Sequence, residues 1–384
     1  MPLTRDVLIL GSSARAAAFS AIRAGLRPRC LDSFADADLA AVCPTTAIDP
    51  RQADDELERL ATSQAAPGWF YTGPFENRPA LVERLSLSSR LLGNGAETLR
   101  AVRNPWNVAA VLKRHGLAAP RLARIANGPG EGSRWLVKPL ASGGGLAIRL
   151  WEGARDDSDA SHYLQEFIDG PTLSALYVSA KGEAKLLGIA RQERGAPGAP
   201  FSYRGSLGPW PVTGSVAAKL ARLGNLLAAE FALVGLFGVD FILADGEPWP
   251  IEINPRYTAS VEALELAARR AFLTDHLRAC VRGELPSLSP SRSSSPVVGK
   301  RVLYASAPIR FPGVPFPRFL PDVFQAPPIA DIPHPGSMIQ PGEPIMTVLA
   351  QGRDPGDCLA KLDRLERAWS ERLAATVDGA IGPL

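Results

Sequence analysis

The stretch LFGVDFILADGEPWPIEINPR, residues 236–256, decides the fold. Two apolar runs flank ADGEP, a turn signal, and together they predict a β-hairpin. With the turn centred on Gly246, Asp240 and Glu252 lie equally far along the two strands and oppose each other. Side chains alternate along a strand, so Asn254 joins Glu252 on one face while Phe241, Ile251 and Ile253 point the other way into a core. Two carboxylates opposed across a hairpin repel, and a cation is the simple remedy. Aspartate, glutamate and asparagine offer hard oxygen donors, which suit magnesium, and magnesium prefers a few carboxylates together with nucleotide phosphates. Arg256, beyond the strand end, suits a transferring phosphoryl group or a substrate carboxylate. A solvated polar face with Arg256 in a surface ion pair would have the same sequence, and the hairpin alone leaves both readings open.

Upstream, VKPLASGGG places Lys138 at the end of an apolar strand, followed by Ser142, Gly143, Gly144 and Gly145. Such a loop brings backbone N–H groups close to phosphate oxygens because no Cβ atoms intervene, although a ligand-free glycine turn reads the same way. In YLQEFIDG an apolar strand runs into Asp169 and Gly170, and its backbone could pair with the edge of an adenine ring.

The chain is long enough for two or three domains, and its 46% hydrophobic content supports real cores. Its 42 basic and 39 acidic residues are spread without a block of like charge, which argues against a nucleic-acid arm or a membrane-binding stretch. Cys30, Cys43, Cys280 and Cys358 show neither CxxC spacing nor a small-domain disulfide pattern, and read as buried thiols in a reducing cytoplasm. His115, His162, His276 and His334 lack metal-ligand spacing. The apolar run after Asp6 reads as a strand, not a signal sequence, and no run is long enough to span a bilayer.

Residues 1–100 are expected to form an N-terminal α/β domain, opened by the strand–turn–helix–strand pattern DVLILGSSARAAAFSAIRAGLRPRCLD. It lacks GxGxxG, which weakens a nicotinamide-dinucleotide reading. Residues 101–283 carry strand patterns around the glycine loop and a helix at 214–234 with Leu220, Leu223, Leu227 and Phe231 on one stripe. The serine- and proline-rich residues 284–298 read as a linker, and 299–384 as a C-terminal α+β domain.

Taken in order, WLVKPLASGGG, YLQEFIDGPTLSALYV, GLFGVDFIL and PIEINPR resemble the ATP-grasp superfamily across roughly residues 100 to 280. The combination is specific although each part is not. The resemblance implies an ATP-grasp fold, α/β and α+β, with a βαβ domain before the grasp lobes and a small C-terminal domain, as in the biotin carboxylase and carboxyaminoimidazole ribonucleotide synthetase branch. It further implies ATP with two magnesium ions, manganese being an alternative. Asp240 and Glu252 would hold the first ion, and Glu252 and Asn254 the second. Lys138 would contact the nucleotide, Ser142, Gly143, Gly144 and Gly145 would form the phosphate lid, and Gln165, Glu166, Phe167 and Ile168 would line the adenine site. Asp169 would approach the ribose, and Arg256 would stabilise the transferring phosphoryl group. One departure matters. Many members carry a phosphate-binding lysine early in the helix after the first domain, whereas this chain reads RNPWNVAAVLK; Lys113 sits too far along, and Arg103 is the alternative.

The activity implied is a cytoplasmic ligase that joins a small-molecule carboxylate to an amine through an acyl phosphate. FSYRGSLGPW offers Tyr203 and Arg204 as substrate contacts, with a mobile surface loop as the bland alternative. In the tail, ADIPHPGSMIQPGEPIMTVLA is similar to a segment of ATP-grasp proteins linked with pterin- or furan-type one-carbon carriers, which implies addition of an amino acid such as glutamate. A kinase or carboxylase-like enzyme of the same architecture, and a non-catalytic ATP-binding protein, remain as alternatives. A homodimer is suggested by the resemblance alone. Because Glu252 is the ligand shared by both ions, Glu252→Ala is expected to lower ATP turnover about 10²–10³-fold; steady-state ADP formation checks this, and a variant within about tenfold of the parent would remove the assignment.

Overall fold

The computed structural model describes residues 5–49, 51–128, 133–153, 160–196, 198–287, 296–318 and 320–377. The first hundred residues build a parallel five-stranded sheet in the order Thr45–Ala47, Arg27–Asp32, Asp6–Gly11, Gly68–Tyr71, Arg90–Leu91. Its central strand is buried from Val7 to Leu10, as a parallel strand covered on both faces requires. Gly11 ends that strand where a Cβ would stand 1.9 Å from Thr72 Oγ1, so only glycine lets the two loops at this end of the sheet meet.

The middle of the chain divides between two sheets. A small antiparallel sheet runs Leu122–Ala123, His162–Glu166, Trp135–Pro139, Arg149–Leu150. The helix Pro105–Arg114 precedes it; Asn104 caps that helix through its side chain, which accepts from the Trp106 and Asn107 backbone N–H groups, and Pro105 occupies the first turn, where no donor is missed. A large sheet then runs Glu247–Asn254, Gly235–Ala244, Thr172–Ala180, Glu183–Ala196, Ala199–Gly208. The helix Gly214–Glu230 covers it, burying Leu220, Leu223 and Leu227, as their spacing predicts. Under that helix the Tyr177 ring stacks on Phe237 at 4.9 Å, and the Tyr177 hydroxyl donates to Leu220 O at 2.9 Å.

The tail differs from the expectation of a body set apart by a linker. Residues 288–295 of that linker lie outside the described residues, but the strand Val297–Tyr304 pairs antiparallel with Ala199–Gly208, and Pro344–Gly352 and Ile329–Ala330 extend the same sheet to eight strands. Gly205 makes the junction close: a Cβ there would meet Lys300 O at 2.2 Å. The physical reason is the free edge of the Ala199–Gly208 strand, whose ladder groups need partners that the tail supplies. The helix Pro355–Val377 packs behind this extension through Cys358, Leu362 and Leu373.

Buried ion pairs tie the three parts together. Arg15, on the first helix, pairs with Asp38 at 2.9 Å and with Glu262 on the helix Ser260–Ala268. Lys300 of the tail strand reaches the same Glu262 at 3.2 Å. Burial pushes the Glu262 carboxyl up, but the Arg15 and Lys300 charges outweigh it and hold the group at about 2. All four cysteines are free, three of them buried. Among the described residues no helix is long and apolar enough to cross a membrane.

Gly224 lies on the sheet-facing side of its helix, where a Cβ would stand 2.4 Å from the Tyr177 ring. Helix propensity favours alanine there by about 1 kcal/mol, whereas overpacking a well-filled core costs about 1–3 kcal/mol or more. Gly224→Ala is therefore expected to lower the thermal midpoint, and a raised midpoint would mean that the Tyr177 ring yields without cost.

Candidate functional site

The hairpin carries the site, and its register depends on a bulge. The turn is Asp245–Gly246, both with left-handed φ (51° and 74°), the pattern of a tight two-residue hairpin turn. Continued regularly from Ala244↔Glu247, that turn would set Asp240 against Ile251. Instead the register shifts after Phe241↔Pro250, and Asp240 pairs with Glu252. The pairing expected from the sequence is thus present, but it needs one extra residue on the second strand. That residue is Ile251. Phe241 and Ile253 enter the core as expected, whereas Ile251 is half-buried at the cavity wall and its carbonyl accepts from Lys138 Nζ at 3.1 Å.

The two carboxylates are held differently. Asp240 accepts from Gln192 Nε2 at 2.7 Å and from Asn254 Nδ2 at 3.3 Å; burial, and then Glu252, push its pKa up. Burial pushes Glu252 up as well, but Arg103 and Lys138 outweigh it and hold it below the usual carboxylate range. Arg103 Nη1 donates to Glu252 Oε1 at 2.6 Å. The same guanidinium donates from Nη2 to Ser142 O at 2.7 Å and from Nε to Asn77 Oδ1 at 3.1 Å. Arg103 therefore joins the hairpin to the glycine loop, from the position where the resemblance leads one to look for a lysine.

The loop itself is fixed on two sides. Asn77 Nδ2 adds a second donor to Ser142 O at 3.2 Å, and Gly144 O accepts from the Tyr203 backbone N–H at 2.7 Å. Gly144 and Gly145 both have left-handed φ, 64° and 72°. Around Gly144 there is open space, but a Cβ on Gly145 would lie 2.0 Å from Phe201 O.

Beneath the loop, two cavities share Lys138, Gly145 and Glu252. One, of about 70 Å³, adds Arg103, Tyr163 and Gln165. The other, of about 150 Å³, adds Arg194, Tyr203, Asp240, Asn254 and Arg256. Gln165 is buried, and its Oε1 accepts from Lys138 Nζ at 3.2 Å. Its three neighbours and Asp169 lie apart: Glu166, Phe167, Ile168 and Asp169 line neither cavity. The Glu166 carboxylate accepts from Arg121, through the backbone N at 3.1 Å and Nη2 at 2.9 Å. Phe167 lies under the Arg134 guanidinium at 4.1 Å, and Asp169 pairs with Arg134 at 2.5 Å.

Arg256 pairs with buried Glu76 of the N-terminal domain at 2.7 Å and donates from Nη2 to Asn254 Oδ1 at 3.2 Å, while its Nε is buried without a hydrogen-bond partner. Tyr203 faces the larger cavity, its hydroxyl 2.7 Å from Ser206 Oγ. Arg204 is a correction to the sequence reading. As the next residue on the strand it points to the other side and forms an ion pair with Glu366 of the tail helix. The tail segment 330–350 also stays away from the hairpin; Asp331 and Ile332 donate their backbone N–H groups to Asp38 of the N-terminal domain. Sequence reasoning missed Arg194 and Gln192, although their i, i+2 spacing in ARQER places them on one strand face, and missed Asn77 and Glu76, which sit in a loop without a pattern.

The donor set fits a magnesium site. Asp240 and Glu252 pair across the hairpin with Asn254 beside them, residue types whose oxygens suit magnesium, although Asn254 Oδ1 is here turned to Arg256 and Glu252 Oε1 to Arg103; burial, and then Glu252, raise Asp240, a strain that a divalent cation would relieve. Among the described residues no group of three or more histidine, cysteine, aspartate or glutamate side chains is placed to hold a metal, and two carboxylates are a usual number for magnesium bound together with phosphates.

Residues 102–260 match the family model described as an ATP-grasp domain. An uncharacterized protein of Methanocaldococcus jannaschii is 24% identical over 277 residues; the match covers 68% of this chain and 64% of that protein, so the chain spans under two thirds of its curated relative. Among solved structures, the L-amino acid ligase from Bacillus licheniformis superposes with a TM-score of 0.68 at 16% identity, covering 95% of this chain and 97% of that one. Biotin carboxylase from Campylobacter jejuni, in a complex with a β-γ-ATP ligand, gives 0.71 at 15% identity over 93% and 89%. The shared property at these identities is the fold, with its N-terminal parallel-sheet domain and grasp lobes.

Gly145→Ala is expected to reduce ATP turnover far more than Gly144→Ala, because only the former drives a methyl group into the Phe201 carbonyl. Both pay for a left-handed φ, about 1–2 kcal/mol. Equal effects in a steady-state ADP assay would show that loop conformation alone, not its seat on Phe201, sets the rate.

Proposed function

With an ATP-grasp domain at residues 102–260 as its premise, we propose that the chain is an ATP-dependent carboxylate–amine ligase. The observation that carries this reading is the Asp240–Glu252 pair with Asn254, facing Lys138 beneath the glycine loop and opening into a cavity that Arg194 and Arg256 line. Asp240, Glu252 and Asn254 would hold the magnesium, which when bound supplies charge neutralisation at the phosphate oxygens.

The chain's own groups do the rest. Lys138, clamped between Gln165 Oε1 and Ile251 O, is aimed at the junction of the two cavities and binds the nucleotide phosphates. Arg103 stands in for the early lysine. A carboxylate oxygen of the substrate attacks the γ-phosphorus, and the bond from that phosphorus to the β-bridging oxygen breaks, giving ADP and an acyl phosphate. Arg256 offers its unpartnered Nε–H and its fixed charge to the transferring group, and positioning with charge neutralisation is most of what phosphoryl transfer needs. The glycine loop, seated on Phe201 and Tyr203, keeps water from the acyl phosphate. The amine then attacks the acyl carbon; the C–N bond forms, the C–O bond to phosphate breaks, and the amine proton leaves with the phosphate.

The amine or carboxylate partner proposed first is an amino acid such as glutamate, joined in the making of a pterin- or furan-type one-carbon carrier, on the strength of the tail segment's resemblance. The test measures ADP and phosphate release from ATP and magnesium against a panel of carboxylates, with and without amines, L-glutamate included. Amine consumption in step with ADP is the expected result. ADP formation that needs a carboxylate or bicarbonate but no amine would favour a kinase or carboxylase-like enzyme, and nucleotide binding without turnover would favour a non-catalytic binder.

A further inference from the structure

Arg194 is the one cation of the larger cavity that sequence reading did not single out, and its surroundings are unusual. Its Nη2 reaches Gln192 Oε1 at 3.2 Å and its Nη1 reaches Phe201 O at 3.4 Å, both neutral acceptors, while its Nε is buried without any partner. Among the described residues no carboxylate lies within ion-pair distance of it. The other guanidiniums here are compensated: Arg103 by Glu252 and Arg256 by Glu76. Keeping an unpaired guanidinium half-buried is costly unless something else completes it.

The local charges agree. Lys138, Arg103, Arg194 and Arg256 face only Glu76, Asp240 and Glu252 across the two cavities, which leaves one cation over. ATP, with about four negative charges, is close to neutral when it enters with the two magnesium ions that the resemblance implies, so the surplus is then available to a further anion. Arg194 pairs with Tyr203 on the neighbouring strand and lines the larger cavity together with Asp240 and Glu252, one amide away from Asp240 through Gln192, and does not line the cavity shared with Gln165. The cavity, at about 150 Å³ and lined by Asp240, Glu252 and Asn254 as well, has room for a small carboxyl-bearing group beside the hairpin.

We propose that Arg194 binds the carboxylate that the enzyme activates, acting opposite Arg256, and that the carboxylate substrate is a small molecule or presents a small carboxyl-bearing end to the cavity. This rests on the ligase reading above. Guanidinium donors match the two oxygens of a carboxylate, and Arg194 brings the free Nε–H and a charge that no direct ion pair takes up, acting on Asp240 only at longer range. Gln192, hydrogen-bonded both to Arg194 and to Asp240, fixes the distance between the bound carboxylate and the metal-side face.

The test is isothermal titration of acetate, benzoate, L-glutamate and inorganic phosphate into the parent chain, Arg194→Gln and Arg194→Lys, each saturated with MgADP. The expected result is that the parent binds at least one of the carboxylates. Arg194→Gln should weaken it by about tenfold or more, as loss of a charge-assisted pair implies, and Arg194→Lys should retain part of the affinity. MgADP affinity should be the same in all three. Unchanged carboxylate affinity in Arg194→Gln would overturn the proposal, as would a parent that binds MgADP and none of the carboxylates. A variant that loses MgADP or phosphate affinity while keeping the carboxylate would also overturn it, assigning Arg194 to phosphate. A parent that binds no MgADP would fail the ligase reading itself, a separate outcome.

Discussion

Everything at this site follows from forcing two carboxylates to face each other across a hairpin in a buried place. Asp240 and Glu252 could not remain there as bare anions, and the fold answers each in its own way. Glu252 receives Arg103 from the end of the N-terminal domain's last helix, together with the field of Lys138. Asp240 receives neutral donors, from Gln192, Asn254 and Ser174, and the more distant charge of Arg194; burial, and then repulsion from Glu252, still push its pKa up. The pair is thus asymmetric: one member carries a direct ion pair, the other only neutral hydrogen-bond donors and a charge at longer range. Residues from three regions are recruited to maintain this balance, which is why the site cannot be located within any one segment.

The same economy appears at the scale of the domains. Glu262 collects Arg15 from the first helix and Lys300 from the tail strand, so one buried carboxylate fixes the N-terminal domain and the tail against the helix that follows the hairpin. Replacing such a cluster by apolar groups is often no less stable, so its value lies in fixing geometry rather than in strength. Arg256 and Glu76 repeat the arrangement nearer the cavity, where the N-terminal domain sets the orientation of a guanidinium that belongs to the hairpin.

Much of this was legible in the sequence where local periodicity governs. The hairpin, the βαβ entry and the helix over Leu220, Leu223 and Leu227 follow from alternation and turn chemistry, whereas Lys138 was brought to the same site as Glu252 only by the family resemblance. What escaped has physical reasons. A bulge is a tertiary adjustment with no residue signature here, so Ile251 was placed on the wrong face. Arg204 and Tyr203 are adjacent, and alternation alone separates their fates, one toward the cavity and the other toward Glu366. Glu166 and Asp169 were drawn off by Arg121 and Arg134, neighbours in space that no spacing rule brings together. The tail was read as separate because a serine- and proline-rich stretch resembles a linker, whereas pairing across sheet edges depends on contacts a hundred residues apart.

That edge pairing makes the molecule poorly modular. The strand Ala199–Gly208 presents Tyr203 and Phe201 to the cavity on one stretch and its ladder groups to Val297–Tyr304 on another. A fragment trimmed at the serine-rich stretch would keep every residue of the candidate site and yet expose a raw sheet edge beside it, open to pairing with any other chain. For protein engineering, the practical unit is therefore larger than the matched domain: a graft or a minimal version of this site has to carry the strands that follow the serine-rich stretch along as the cover for that edge, even though among the described residues none of them lines the cavity at Asp240.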